Sequence, residues 1–173
     1  MKTKEDIHNE AWVRSKEDLV RFTFGLGEGE EGTMMGETSE LLTWIEKESP
    51  EAAAKIRKDI ESGRVKIYTL QFDARGSSIG IFLASFNGGS DFPNHRHNKA
   101  HATIYITEGV GTAYLEGKEF AVKAEDTVNV PPGTAHEFFA ESEGLTYIAV
   151  THGVVHQDDE TYDWVTVPTN RPD

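Results

Sequence analysis

The sequence predicts a mainly β protein, a barrel or double-sheet jelly roll, with a short helical segment before it. From residue 64 onward, short runs of β-branched and aromatic residues alternate with turn signals, among them Asn-Gly-Gly at 87–89 and Pro-Pro-Gly at 131–133. Many short strands at this spacing favour a closed or two-layered β architecture. The predicted strands are 65–72, 79–86, 102–107, 112–115, 120–122, 127–130, 137–140, 145–151 and 162–167.

The segment 39–62 predicts two short helices, because its apolar residues follow helical spacing. Ser39 is expected to cap the first helix and Ser49 the second, with Pro50 at the first helical position and Gly63 after the end. Apolar residues recur every fourth position of the second helix, at Ala52, Ile56 and Ile60. We expect this stripe to pack on the outside of the barrel.

These patterns divide the chain into an N-terminal extension, 1–63, and a β-barrel, 64–173. Within the extension, residues 1–24 contain aromatic and β-branched residues typical of one or two docking strands. Residues 25–36 form a loop rich in glycine and glutamate, which we interpret as a mobile acidic loop or a lid over a site.

Composition limits the classes of function. The chain has 17 basic and 30 acidic residues and a formal charge of −13, which argues against binding nucleic acid or an anionic membrane surface. It has no cysteine, so disulfides and thiolate metal sites are excluded. No apolar run approaches the ~20 residues of a membrane span, and the N-terminus lacks the pattern of a signal peptide. We expect a cytoplasmic protein that binds a small molecule.

Three histidines form the clearest chemical pattern. His95 and His97 are two residues apart, so in a strand both side chains point to the same face. His136 follows 39 residues after His97, directly behind a Pro-Pro-Gly-Thr-Ala sequence. Imidazoles at this spacing can hold one metal ion, and they accept zinc, copper, iron or nickel.

These stretches resemble the two motifs of the cupin superfamily. The first motif is a glycine, five residues, His-x-His, three or four residues, a glutamate, six residues and a glycine; the second is Pro-x-Gly-x-x-His. The residues of this chain that fit them are Gly89, His95, His97 and Gly109, then Pro131, Gly133 and His136. The resemblance covers residues 65–167 and implies a cupin double-stranded β-helix, a metal site at His95, His97 and His136, and a homodimer.

The glutamate of the first motif is missing. Ala102 stands at its place, four residues after His97 and six before Gly109, whereas His101 would be one residue too far from Gly109. Alternation also puts Ala102 on an apolar, inward face and His101 and Tyr105 on the opposite face. His101 therefore becomes a fourth ligand only if a bulge turns it inward.

A site of three neutral imidazoles leaves two or three coordination positions open for an oxygen-rich ligand. In this respect the chain resembles the three-histidine iron dioxygenases of the superfamily, such as the gentisate and acetylacetone-cleaving types. That resemblance implies an iron(II) dioxygenase acting on a small polar or anionic metabolite bound to the metal, with zinc, nickel, manganese or copper as other metals. Two alternatives stay open: a non-redox lyase or isomerase with His101 or Tyr105 as acid or base, and a binding or sensor protein without turnover.

Overall fold

The computed structural model describes residues 37–72, 79–153, 163–169 and 171. The predicted N-terminal strands and the loop 25–36 lie outside these residues. No helix in the described part of the chain is both long and apolar enough to cross a membrane. The homodimer expected from the family stays a prediction.

Among the described residues, two helices precede the sheet, α1 (Glu37–Glu48) and α2 (Pro50–Glu61). The Ser49 side chain accepts a hydrogen bond from the Ala52 backbone N–H at 3.4 Å, which makes it the N-cap of α2 as predicted. Gly63, just beyond α2, has a φ of +72°, a conformation that glycine adopts without strain. The start of α1 differs from the prediction, because this helix begins at Glu37 and Ser39 lies inside it.

In the described part of the chain, eight strands follow the helices and form one curled antiparallel sheet. The two long strands, β4 and β7, join segments that the sequence predicted as separate strands. The strands are β1 (Val65–Phe72), β2 (Ile79–Phe86), β3 (Asp91–Arg96), β4 (His101–Leu115), β5 (Lys118–Lys123), β6 (Thr127–Val130), β7 (His136–His152) and β8 (Val165–Thr166).

The long strands change partners along their length. The first half of β4 pairs with β6 and its second half with β5, while β7 pairs with β2, β3 and β4. The β4–β7 register shifts near Gly109, which has a φ of +82°. A Cβ at Gly109 would lie 2.1 Å from the Gly144 carbonyl oxygen, so the two backbones approach here as only glycine allows. The predicted breaks were therefore irregularities within continuous strands.

Helices and sheet share one apolar core. Leu42 and Ile45 of α1 and Ile56 of α2 are buried in the same cluster as the inward-facing residues of the strands. Lys55 of α2 also pairs with Asp91 of β3 at 2.5 Å. The helical segment thus packs against β1 and β3. Strand β3 carries His95, the first site residue.

Candidate metal centre

The sheet brings His95, His97 and His136 together. His95 on β3 is directly opposite His136 at the start of β7, and His97 follows the end of β3 by one residue. One ring nitrogen of each histidine lies within 4.8 Å of the others. All three residues are at most 6% exposed, so they form a compact buried cluster.

Hydrogen bonds fix the same tautomer on all three rings. The Nδ1–H of His95 donates to the Pro93 carbonyl oxygen at 2.8 Å, and that of His136 to the Thr134 carbonyl oxygen at 3.1 Å. His97 Nδ1 makes the corresponding bond to the Asp163 carbonyl oxygen. Because a carbonyl oxygen can only accept, each Nδ1 carries the proton and each Nε2 is the unprotonated ring nitrogen. This is the tautomer in which Nε2 can coordinate a metal.

Burial keeps these imidazoles neutral. Desolvation, with added repulsion from its two histidine neighbours, holds the pKa of His95 well below its ordinary value. Desolvation also lowers the pKa of His97, and it lowers that of His136 to about 4. At neutral pH the cluster therefore offers uncharged ligands, because protons do not compete with a cation for the ring nitrogens.

Asp163 holds the loop that carries His97. Its Oδ1 accepts a hydrogen bond from the backbone N–H of Asn98, and its Oδ2 accepts from those of Lys99 and Ala100, all at 2.8 Å. The residue is 4% exposed, so these charge-assisted bonds are shielded from water. Asp163 thus holds His97 in two ways. Its carboxylate orders the loop that follows His97, and its backbone carbonyl accepts the hydrogen bond from His97 Nδ1.

Trp164 supports His95. Its ring stacks on that of His95 with a centroid distance of 3.7 Å and an interplanar angle of 9°. Its Nε1–H donates to the Thr166 hydroxyl at 2.9 Å, and Thr166 is paired with His95 across β3 and β8. The C-terminal segment 163–167 therefore orients two of the three imidazoles.

The cluster lies at a cavity of about 70 Å³ with mostly apolar walls. Ile45 of α1 is part of this wall, so the N-terminal extension reaches the cavity as well as the outside of the sheet. The described lining residues are Ile45, Ile67, Phe82, Ala84, Phe92, His95, His97, Ala102, Ile104, His136, Glu137, Phe138, Tyr147, Ala149, Thr151 and Trp164.

The register predicted for β4 agrees with the structure. Ala102 is 2% exposed and lines the cavity, so no carboxylate stands at the place of the motif glutamate. His101 lies on the opposite face, where its Nε2 is 2.6 Å from Asn129 Oδ1 and its ring contacts His152 at 4.5 Å between centroids. Tyr105 is 44% exposed on that same face. Neither His101 nor Tyr105 lines the described cavity, so the geometry gives no support to His101 as a fourth ligand or to either residue as an acid or base.

Sequence reasoning missed the roles of three residues at this centre. Asp163 and Trp164 are more than 60 residues away from the loop and the ring that they hold, so no local pattern joins them. Tyr147, whose ring borders the cavity, lay within the predicted strand 145–151, for which no inward face was assigned. Its phenol was the available signal, because a tyrosine on a buried face needs a partner for its hydroxyl.

The residues present fit a divalent metal ion. The donor set consists of three uncharged imidazoles that are unprotonated at Nε2, which suits first-row transition metals. His95, His97 and His136 would hold the ion, and the carbonyls of Pro93, Asp163 and Thr134 would orient these ligands. The donor set does not select one metal among those that bind imidazole.

Comparison with known proteins gives sequence and structural relatives. A family model described as a cupin domain matches residues 82–152. The quercetin 2,3-dioxygenase of Bacillus subtilis (strain 168) is 30% identical over 82 residues, which are 45% of this chain and 24% of that protein. An uncharacterized protein of Methanocaldococcus jannaschii is 40% identical over 43 residues, 25% of this chain and 34% of that protein. The chain thus spans well under two thirds of either relative.

One solved structure adds evidence on the fold. A Klebsiella pneumoniae subsp. pneumoniae protein with a double-stranded β-helix domain superposes with a TM-score of 0.52 at 14% identity, covering 62% of this chain and 87% of that one. At this identity the likeness concerns the fold alone. Together with the matched domain and the antiparallel topology, it shows that the fold is a cupin-type double-stranded β-helix, with residues 82–152 matching the cupin domain.

Proposed function

We propose that the chain is a metal-dependent enzyme, and specifically a non-haem iron(II) dioxygenase. The observation that carries the proposal is the set of three buried imidazoles whose Nδ1–H groups are all bonded to backbone carbonyls. With Ala102 at the carboxylate position, three protein ligands leave open positions for a substrate. An iron(II) ion held there would supply the redox chemistry for dioxygen and act as a Lewis acid toward the substrate.

The remaining cavity residues favour this class over a lyase or isomerase. Proton transfer at neutral pH needs a group whose pKa lies near 7 and that reaches the substrate. Among the described lining residues, burial raises the pKa of Glu137, but both of its carboxylate oxygens are engaged, by the Thr169 hydroxyl at 2.9 Å and by Arg171 Nε at 3.0 Å, and burial raises the pKa of Tyr147 away from neutrality. Chemistry that depends on the metal and dioxygen needs no such base. The relationship to a quercetin 2,3-dioxygenase over 82 residues is consistent with this preference.

The protein itself has three tasks in this scheme. His95, His97 and His136 bind the ion, while Asp163 and Trp164 keep two of these ligands in position. The apolar walls exclude water from the bound substrate, which strengthens its electrostatic interactions with the metal.

Metal analysis combined with oxygen uptake tests the proposal. Protein purified without chelators or a histidine tag is expected to contain near-stoichiometric metal, and with iron(II) to consume oxygen in the presence of catechol-like or diketone substrates. His136→Ala should abolish metal binding, whereas His101→Ala is a matched control on the outer face and should keep it. Circular dichroism of both variants checks that each one folds.

Three other results would change the assignment. Turnover without oxygen in the presence of zinc, nickel or manganese would favour a lyase or isomerase. Stoichiometric metal without turnover on any substrate class would favour a binding or sensor protein. Equal loss of metal in His136→Ala and His101→Ala would contradict the ligand set itself.

A further inference from the structure

Tyr147 is a buried phenol that has no hydrogen-bond partner among the described residues. The residue is 6% exposed, and its ring packs between those of Phe86 and Phe138, at centroid distances of 5.4 and 5.1 Å. In the described part of the chain, no residue accepts a hydrogen bond from its hydroxyl or donates one to it. Buried hydroxyls are nearly always paired, so a ligand that completes this bond would explain the exception.

The walls around Tyr147 show what kind of ligand fits. Nine of the described lining residues have aliphatic or aromatic hydrocarbon side chains, and none is a lysine or an arginine. The lining carboxylate, Glu137, is already engaged by Thr169 and Arg171. A charged substrate body would therefore lose its hydration without gaining a partner of opposite charge from these walls. This differs from the polar or anionic metabolite that the sequence suggested.

Aromatic rings connect Tyr147 with the histidines. Phe92 contacts His95 at 5.5 Å and Phe86 at 6.3 Å between centroids, and Phe86 in turn contacts Tyr147. Phe138 is two residues after His136 on the same face of β7 and touches Tyr147. The phenol and the metal ligands thus border one apolar space, with aromatic surface between them.

We propose that the cavity accepts an uncharged, largely apolar molecule that chelates the metal through adjacent oxygen atoms at one end and accepts a hydrogen bond from the Tyr147 hydroxyl at the other. The inference rests on the proposed function, because it takes the three histidines as the metal site. Tyr147 is then a residue that determines specificity. Its role is that of a donor, because burial raises the pKa of this phenol and keeps it protonated at neutral pH.

Three catechols distinguish the parts of this proposal. They are 3,4-dihydroxyacetophenone, which is neutral and has a distal acceptor oxygen, 4-tert-butylcatechol, which is apolar without that acceptor, and 3,4-dihydroxybenzoate, which carries a distal charge. Their binding is measured without oxygen, from the visible spectrum of protein loaded with cobalt(II). In the parent protein both neutral probes should bind at least about 10-fold more tightly than the anion, since its carboxylate finds no counter-charge.

Tyr147→Phe removes the hydroxyl and keeps the ring. We expect it to weaken binding of the acetophenone about 10-fold, the effect of one neutral hydrogen bond, and to change binding of the tert-butyl compound less than about threefold. The Tm of the ligand-free variant should rise by about 2–4 °C, because an unpaired buried hydroxyl is removed. Tyr105→Phe is the matched control at an exposed tyrosine and should change neither quantity.

The outcomes separate this inference from the proposed function. Cobalt(II) that binds to neither the parent protein nor Tyr147→Phe overturns both. Normal cobalt(II) binding with equal affinity for the anionic probe, or with no probe bound, overturns the inference alone. A fall in the Tm of ligand-free Tyr147→Phe also overturns it, because the hydroxyl would then have a partner within the protein.

Discussion

Asp163→Asn tests whether the C-terminal segment builds the metal centre. The carboxylate accepts three backbone hydrogen bonds, one through Oδ1 from Asn98 and two through Oδ2 from Lys99 and Ala100. An asparagine side chain has one acceptor oxygen, so at most two of these bonds survive. Its NH₂ group would then face the remaining backbone N–H, donor against donor.

The expected magnitude follows from this count. Each hydrogen bond to a buried charged group contributes about 1.5–3 kcal/mol. The substitution removes at least one such bond, makes the others neutral, and leaves a buried N–H unpaired, so we expect a loss of about 2–4 kcal/mol in the free energy of unfolding. Because the loosened loop carries His97, metal affinity should also fall by about 10–100-fold, as is typical when a residue supporting a ligand is changed.

Two measurements separate the effects on folding and on the site. Urea denaturation of the chelator-treated protein gives the stability, and competition with a chromophoric chelator gives the metal Kd. Asp126→Asn is the matched control, since its carboxylate accepts a single backbone N–H, that of Lys123, in a solvent-exposed turn. An Asp163→Asn protein that is less stable but binds metal as tightly as the parent would refute the argument, because the segment would then only close the fold.

Two further predictions concern protonation and backbone packing. Since the pKa of His136 falls from 6.5 to about 4 on folding, the unfolded chain binds more protons between these values, so the metal-free protein should lose roughly 3 kcal/mol from this residue as pH drops from 7 to 4. Urea denaturation across this range should show a shallower loss for His136→Gln, and parallel curves would contradict the assignment. Gly109→Ala should prevent folding or cost several kcal/mol, because its Cβ would overlap the Gly144 carbonyl oxygen. Gly89→Ala, at a φ of +77° with open space around it, should cost only about 1–2 kcal/mol, and similar losses at both positions would refute the close-approach argument.

The sequence predicted that the three histidines come together, that Ala102 faces inward, and where several strands begin and end. Each of these features depends on short-range spacing or on a short motif. The bounds 65–72, 79–86 and 127–130 agree with β1, β2 and β6. Prediction from the sequence was wrong where one local signal is compatible with two structures. Gly109 suggested the end of a strand, but it marks a bend in the 15-residue β4, where the backbone of β7 comes close.

Long-range contacts were beyond sequence reasoning for a different reason. Asp163 bonds to residues 63 to 65 positions earlier in the chain, and the ring of Trp164 lies on His95. Nothing in the composition of their own segment indicates these partners, because an aspartate followed by a tryptophan fits many loops equally well. The same holds for Ile45, whose helical pattern predicted burial but not a place in the cavity wall.

The matched cupin domain therefore contains the ligands but not all the residues that make them a site. Residues 82–152 include His95, His97 and His136, whereas Asp163 and Trp164 come after this range and Ile45 comes before it. A barrel with the same motifs but other flanking segments would present its imidazoles in a different setting and enclose a different cavity. Transfer of an activity from relatives that share only the matched domain consequently needs the flanking segments to correspond too, because in this chain those segments hold two of the three histidines and form part of the cavity wall.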